Sequence, residues 1–416
     1  MTFAQLNDSI DFETISIKRS GNSKEGYFME KINTRAKNLP KGLLVDEIKK
    51  ANGQKREVLL RRDEKYGANR PKIGSYLENI ALPGLFGFDM NDYLCDPELS
   101  IEIDLRHKLY WIDNAHDDHL ADLNLNSGTM YFDMTLFGLK IKYTYDGVPY
   151  FEPHLLERKP DISLLSPFDF EKTGEMPLVH NRFQKMKEIS KESYGGEIGV
   201  HLPASYRGPL DVAVQLRGYE NFIADCAETP DFVHELFSRI IAWRLRYNQE
   251  RAAFLGADMP KQTMIADDWV NIPFITPSMF DEFMVPAYKK IQDNEGPAAN
   301  WHTCGIFLPI LESLMNALPE MKNLDLGGYN MPDCLEIHKL APADMHFSLS
   351  FVNAFTVLGT PEEHRKVFGK FGKMMADGRR FSLTASAIEP ILGNTDETVI
   401  KMNRFIDSAR EYFASI

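Results

Sequence analysis

From residue 196 onward the chain alternates short β-rich runs with amphipathic segments, six times in succession. The runs are 196–204 (GEIGVHLPA), 263–269 (TMIADDW), 298–304 (AANWHTC), 321–327 (MKNLDLG), 345–351 (MHFSLSF) and 380–386 (RFSLTAS). Between them apolar residues recur at helical spacing, as at Phe232, Leu236, Ile240 and Trp243. Thr229, Thr276 and Thr360 each precede a proline, the pattern of an N-cap with proline at the first helical position. Regular β–α alternation favours parallel strands. The chain has no GxGxxG or GxxxxGKS phosphate loop. The expected fold is therefore α/β, a (β/α)8 TIM barrel rather than a doubly wound nucleotide-binding sheet.

The N-terminal part is less regular. Residues 1–80 read as mostly helical and charged, and 129–154 alternates apolar and polar residues around Asp146-Gly147, a hairpin signal. The expected organisation is an N-terminal helical cap at 1–130 and a barrel at 131–416, carrying an inserted β-hairpin.

Charge and composition remove several functions. The chain has 60 acidic against 47 basic side chains, a net charge of −13. Phosphate contacts need a basic face, so nucleic-acid binding is not expected. No apolar run approaches the roughly 20 residues of a membrane helix. The start, MTFAQLNDSIDFE, has neither the basic nor the apolar region of a signal peptide. Four cysteines, at 95, 226, 304 and 334, are too sparse for a disulfide scaffold. The expected location is cytoplasmic.

In a barrel of this kind chemistry gathers at the C-terminal ends of the strands. His302 and Cys304 end one run on the same face, and an imidazole beside a thiolate is half of a zinc site. The alternative is a hydrogen-bonded histidine next to a buried cysteine. Asp267 and Asp268 end another run, as metal ligand, general acid or helix cap. Asp325 ends NLDL, where an unpaired acid is expensive to bury. Glu389 is the ionisable group of the small-residue stretch 384–390. Trp269, Trp301, Phe274 and Tyr329 are aromatic candidates for a pocket lining, with core packing as the alternative. His201 ends the 196–204 run and is a candidate for facing the pocket. Arg217 is read equally as a substrate contact or as a salt bridge to Glu220 or Glu228. The cluster His107, His116, Asp117, Asp118 and His119 has metal-ligand chemistry but reads as a solvated loop or helix end.

These pieces carry a resemblance. DDW at 267–269, ITPSMFDEFMVPAYKKI at 275–291, HTCGIFLPILESL at 302–314, LDL at 324–326, LGTPEEHRKVFGKF at 358–371 and GPLDVAVQLRGYENF at 208–222 stand in a familiar order and spacing. The chain resembles the uroporphyrinogen decarboxylase superfamily, specifically its corrinoid-dependent methyltransferase branch. The resemblance is clear over about half the chain. It implies a barrel, usually dimeric, with its site at the strand ends. In that branch the His and Cys of H-x-C-G bind zinc, and they fall on His302 and Cys304. A second family cysteine normally follows the last strand; here Ala387 stands at that position. Losing one thiolate weakens the thiol-methylating reading. Glu389, Asp267 or Glu282 would then complete an oxygen-richer site, as in branch members that demethylate methoxylated compounds. The decarboxylase itself resembles the chain less, since REVLLRRDEKYGANR at 56–70 lacks its arginine-rich signature.

The resemblance implies a methyltransferase moving a methyl group from a methoxylated compound, aromatic in the first instance, to the cob(I)alamin of a partner corrinoid protein. Zinc and a partner-borne cobalamin are the implied cofactors, with a homodimer as the implied assembly. His302, Cys304, Glu282 and Glu389 are the candidate metal ligands. Asp267, Asp268 and Asp325 are the candidate catalytic acids. Trp269, His201 and Tyr329 are the candidate substrate contacts. The rivals are a methylcobalamin:thiol methyltransferase, a metal-free decarboxylase-like lyase and a non-catalytic corrinoid-binding barrel.

Overall fold

The computed structural model describes residues 32–416 except 67–69, 145–148, 152–153, 166 and 389–393. Its strands in chain order are β1 (Lys72–Leu77), β2 (Asn124–Asn126), β3 (Ile141–Tyr143), β4 (Pro149–Phe151), β5 (Gly199–His201), β6 (Thr263–Ala266), β7 (Ala298–His302), β8 (Asn323–Leu326), β9 (His346–Phe351) and β10 (Phe381–Ile388). Six of them form one parallel sheet in the order β1-β10-β9-β8-β7-β6. β2 and β5 form a second parallel pair.

Single contacts join the two sheets. Arg207, just after β5, bridges in parallel to Ala266 of β6. Before β2, the Asp118 N–H donates to the Ile73 carbonyl of β1 at 2.7 Å. Apart from the hairpin, the parallel strands thus succeed one another in chain order, and β10 returns to pair with β1. This is the α/β barrel arrangement that the strand–helix alternation implied.

The boundary expected at residue 130 does not match the sheet. β1 and β2 both lie in the segment read as a helical cap, and β1 pairs with β10 over five register positions. Helices 44–66 and 97–114 lie before and after β1 in the chain and pack on each other. The hairpin is present as antiparallel β3 and β4, and its turn lies outside the described residues.

Burial alternates along the strands as a parallel sheet covered by helices demands. Phe347, Leu349 and Phe351 of β9 are buried. Phe351 packs against Phe355, Phe371 and Phe405 from the helices. The opposite, inner face carries His346, Ser348, Ser350, Asn323, Asp325, Ser382 and Thr384, all half-buried. Hydrogen bonds cross it from Ser348 to Asn323 (3.1 Å) and from Ser350 to Asp325 (2.9 Å). Barrel interiors are commonly filled by branched apolar residues. This one is polar, so its strand ends open onto a hydrophilic floor.

Helix starts differ in detail. Thr276 accepts from the Met279 N–H, and Thr360 forms a reciprocal capping box with Glu363. Thr229 does not cap: its hydroxyl turns back to Asp225 Oδ1 at 3.1 Å. The helical region from 209 is also broken earlier than expected, at Gly218, where φ is +80°. Within Pro277–Glu295, residues Phe280–Met284 widen into a π turn ahead of Pro286, which has no N–H to donate. No described helix is long and apolar enough to cross a membrane.

Candidate metal and active site

β6, β7 and β8 run parallel, so their C-terminal ends share one mouth. His302 is the last residue of β7, and its side chain lies on the inner face. Its Nδ1 is 2.9 Å from Asp325 Oδ2, across on β8. Asp325 is held in turn by the Ser350 hydroxyl of β9. If Nδ1 carries the proton, it donates to Asp325 and Nε2 keeps its lone pair for the mouth. Cys304 Sγ lies 3.6 Å from that Nε2. β7 ends at His302, so a turn rather than strand alternation returns Cys304 to the histidine.

The turn is tightly determined. The Thr303 hydroxyl donates to the Val270 carbonyl at 2.8 Å and accepts from the Gly305 N–H at 3.1 Å. A Cβ on Gly305 would stand 2.3 Å from the Val270 oxygen and 2.4 Å from Asn271 Cβ. Glycine is therefore required there, and the backbone of the segment after β6 fixes where Cys304 stands.

Asp267 and Asp268 follow β6 and separate, because neighbouring residues of an extended chain face opposite ways. Asp267 is fully buried. It accepts the Asp211 N–H at 2.7 Å, the Leu210 N–H at 3.4 Å and the Tyr288 hydroxyl at 3.1 Å. It thus anchors the start of helix Pro209–Arg217, and its carboxyl reaches Gly208, where a Cβ would meet Asp267 Cγ at 2.2 Å. Burial pushes the pKa values of Asp267 and its neighbour Asp211 upward. Asp267 is a structural acid, remote from the role of third ligand considered for it.

Asp268 instead faces the mouth. Its Oδ1 is 3.1 Å from His302 Nε2 without hydrogen-bonding geometry, and that buried oxygen has no hydrogen-bond partner. Asp268, His302 and Cys304 form a set whose donor atoms all lie within 4.8 Å of one another. An orphaned carboxylate oxygen, an imidazole nitrogen and a sulfur that converge in this way fit zinc, which accepts mixed N, O and S ligands. Asp325 has the place of the outer carboxylate that orients a metal-bound histidine.

The electrostatics agree with a site built for a cation. Burial disfavours a second proton on His302. The carboxylates of Asp268 and Asp325, with the Cys304 sulfur, overcome that, and its proton affinity is pushed up to about 12. Asp268 is held below the ordinary carboxylate range: burial opposes this, and His302 outweighs it.

The other sequence candidates fall elsewhere. Glu282 is exposed on the π turn of Pro277–Glu295 and is not among the three clustered residues. Glu389 lies outside the described residues. His201 is exposed, and the charges nearest it are Arg251, Asp122 and Lys108, none of them in the cluster. Tyr329 is 61% exposed on the rim after β8. Trp269 sits beside Asp268 and stacks on Tyr219 at 5.4 Å, and Tyr219 meets Phe274 edge-on at 5.5 Å. Trp301 is buried against Phe307 in the core. Arg217 is buried against Asp225, a partner not anticipated, and the Leu156 and Glu157 carbonyls.

Among the described residues the His116–His119 cluster is not a metal-ligand set, and its two acids are paired inside the fold although His119 is exposed. Asp117 is buried against Lys55 at 2.6 Å. Asp118 binds Arg70 and Arg410, each at 2.9 Å. Cys226 and Cys334 are buried as expected, whereas Cys95 is exposed.

Sequence reading missed Arg207, whose guanidinium bonds Asp133 and Asp211, each at 3.2 Å. Asp211 in turn accepts the Trp269 N–H at 3.0 Å. Arg207 therefore ties the segment after β5 to the residues that flank Asp268.

A barrel of parallel strands with an N/O/S donor cluster at its mouth defines a class of α/β enzyme with a candidate metal site at its strand ends. The family model described as uroporphyrinogen decarboxylase (URO-D) matches residues 118–328, half of the chain and the part that holds the whole cluster. The chain belongs to the uroporphyrinogen decarboxylase family. Its fold is similar to that of a solved methyltransferase from Methanosarcina mazei. The TM-score is 0.58 at 15% identity, covering 83% of this chain and 95% of that one. No curated protein matches.

One expectation tests the supporting carboxylate. Asp325→Ala frees the His302 ring and removes its negative partner, so zinc affinity falls roughly 10–100-fold. Competition against a chromophoric chelator measures this. Unchanged affinity would show that Asp325 does not orient the ligand.

Proposed function

We propose that this protein is a corrinoid-dependent methyltransferase that takes a methyl group from a methoxylated compound. The observation that carries the reading is the single-thiolate cluster of Asp268, His302 and Cys304. Zinc methyltransferases acting on thiols use thiolate-rich sites, in keeping with a soft acceptor. One sulfur, one nitrogen and one carboxylate oxygen make a harder centre, suited to an ether oxygen.

Asp268, His302 and Cys304 would hold the zinc, which supplies Lewis acidity toward the departing oxygen. The methyl acceptor would be a cob(I)alamin carried by a partner protein, a nucleophile strong enough for an unactivated methyl ether. The chain's own residues do the positioning. Asp325 and Ser350 hold the His302 ring, Asp267 and Asp211 hold the segment bearing Asp268, and Trp269, Tyr219 and Phe274 offer an aromatic wall. Exposed side chains at the strand ends, Tyr76, Tyr206, Tyr329 and Val352, give the mouth an apolar rim suited to a docking corrinoid domain. A cytoplasmic homodimer remains our working assembly.

The test uses zinc-loaded protein, cob(I)alamin and 2-methoxyphenol, with methylcobalamin followed by absorbance. Methylcobalamin formation is expected. No transfer from any methoxylated compound, together with methylation of a thiol from methylcobalamin, would replace this reading by its thiol rival.

A further inference from the structure

Asp267 is buried in a helix cap, Asp268 belongs to the donor cluster and Asp325 is engaged by His302 and Ser350, so none of the three acids anticipated from the sequence is free to protonate a leaving oxygen. Tyr131 occupies the place for that role. It follows β2 and so stands at the same mouth as His302. Among the described residues it is the only non-glycine with a positive φ, 60° with ψ 25°. Such a conformation is costly for a ring-bearing residue and persists where the surroundings over-determine it.

The surroundings are specific. The Arg207 guanidinium lies 4.4 Å from the Tyr131 ring centroid, and Phe151 packs on the ring at 5.9 Å. Arg207 is itself fixed by Asp133, two residues after Tyr131, and by Asp211, which accepts the Trp269 N–H. The chain Tyr131–Arg207–Asp211–Trp269 therefore ties the phenol to the segment that carries Asp268. The ring is half-buried, and its hydroxyl has no hydrogen-bond partner among the described residues. Burial raises the pKa of the phenol, with the Arg207 cation opposing and the Asp268 charge adding to it, so the hydroxyl keeps its proton.

We infer that Tyr131 is the general acid for the departing oxygen, a role that rests on the proposed demethylation. The methyl carbon–oxygen bond breaks as the methyl passes to the corrinoid nucleophile. The bonding pair stays on oxygen, which takes the Tyr131 proton, giving the neutral alcohol or phenol and a tyrosinate. The Arg207 cation stabilises that tyrosinate until water returns a proton across the half-exposed edge.

Tyr131→Phe removes the proton and keeps the ring, its stacking and its contact with Arg207. Two probes separate the roles: methoxybenzene, whose oxygen needs protonation on leaving, and 4-nitromethoxybenzene, whose oxygen does not. For the variant, kcat on methoxybenzene falls about 100-fold, with KM, zinc content and melting temperature unchanged. On 4-nitromethoxybenzene it stays within a few-fold. Without corrinoid present, calorimetry shows about tenfold weaker binding of phenol to the variant, the size of one lost hydrogen bond. Equal losses on both substrates, or no loss on either, overturn the role while leaving the demethylation intact. A wild-type protein that demethylates neither substrate overturns the parent reading and this role with it.

Discussion

His302→Ala abolishes zinc binding and, with it, methyl transfer. The substitution removes Nε2, the nitrogen of the donor set, and strands Asp325, whose partner it was. The loss in affinity exceeds the roughly 100-fold that removal of an outer partner gives at most. The same titration reads the proton balance. Near pH 7 the free site holds a second proton on His302 and one on the Cys304 thiol, whose acidity is weakened: His302 favours the thiolate, but burial and Asp268 prevail. Zinc uptake by the wild type therefore releases about two protons, and affinity rises with pH. Calorimetry in buffers of different ionisation enthalpy counts them. For the metal-free chain the sign is opposite. Folding raises the proton affinity of His302 from about 6.5 to about 12. That stabilisation is complete below pH 6.5 or so and is lost as pH rises toward 12.

Asp267→Ala lowers stability more than it alters chemistry. The buried carboxyl accepts the Asp211 and Leu210 N–H groups and the Tyr288 hydroxyl. Deleting it leaves those donors unpaired in the interior, at about 1–3 kcal/mol each. Relief of the repulsion between Asp267 and Asp211 offsets part of this, so a net loss of about 2–4 kcal/mol is expected. The urea midpoint measures it. Asp267→Asn keeps an acceptor oxygen and the volume, so it folds, binds zinc and turns over within a few-fold of wild type. If that conservative variant kept its stability and zinc but lost turnover 100-fold or more, Asp267 would have a chemical role after all.

The legible parts of the sequence were those with local signals. Strand–helix periodicity after residue 196 placed β5 to β10 and most of the helices between them. β1 and β2 escaped because KIGSYL is short and interrupted by Gly74, and β2 has three residues. Both were taken into a helical cap although they complete the parallel strands. At the site, His302 and Cys304 could be paired because they stand two positions apart in the chain. Asp267 and Asp268 could not be ranked without the backbone, although strand alternation already implied that only one of them faces the mouth.

Contacts between distant segments left no periodic trace. Asp325 reaches His302 from 23 positions away, Asp133 reaches Arg207 from 74, and Tyr131 stands at the mouth through its strained turn. Gly208 and Gly305 were usable signals: each marks a backbone that a side chain would obstruct. The acids of the His116–His119 cluster resembled ligands only because Lys55, Arg70 and Arg410 are distant in sequence.

X-ray absorption at the zinc edge of the reconstituted protein tests the central claim most directly. One zinc per chain is expected, with a single sulfur near 2.3 Å and its remaining ligands nitrogen or oxygen near 2.0–2.2 Å, typical distances for such ligands. Cys304→Ser should remove the sulfur shell, and Asp268→Ala should deplete the light-atom shell. A spectrum with two sulfurs, or zinc that stays equally bound after both substitutions, would contradict it.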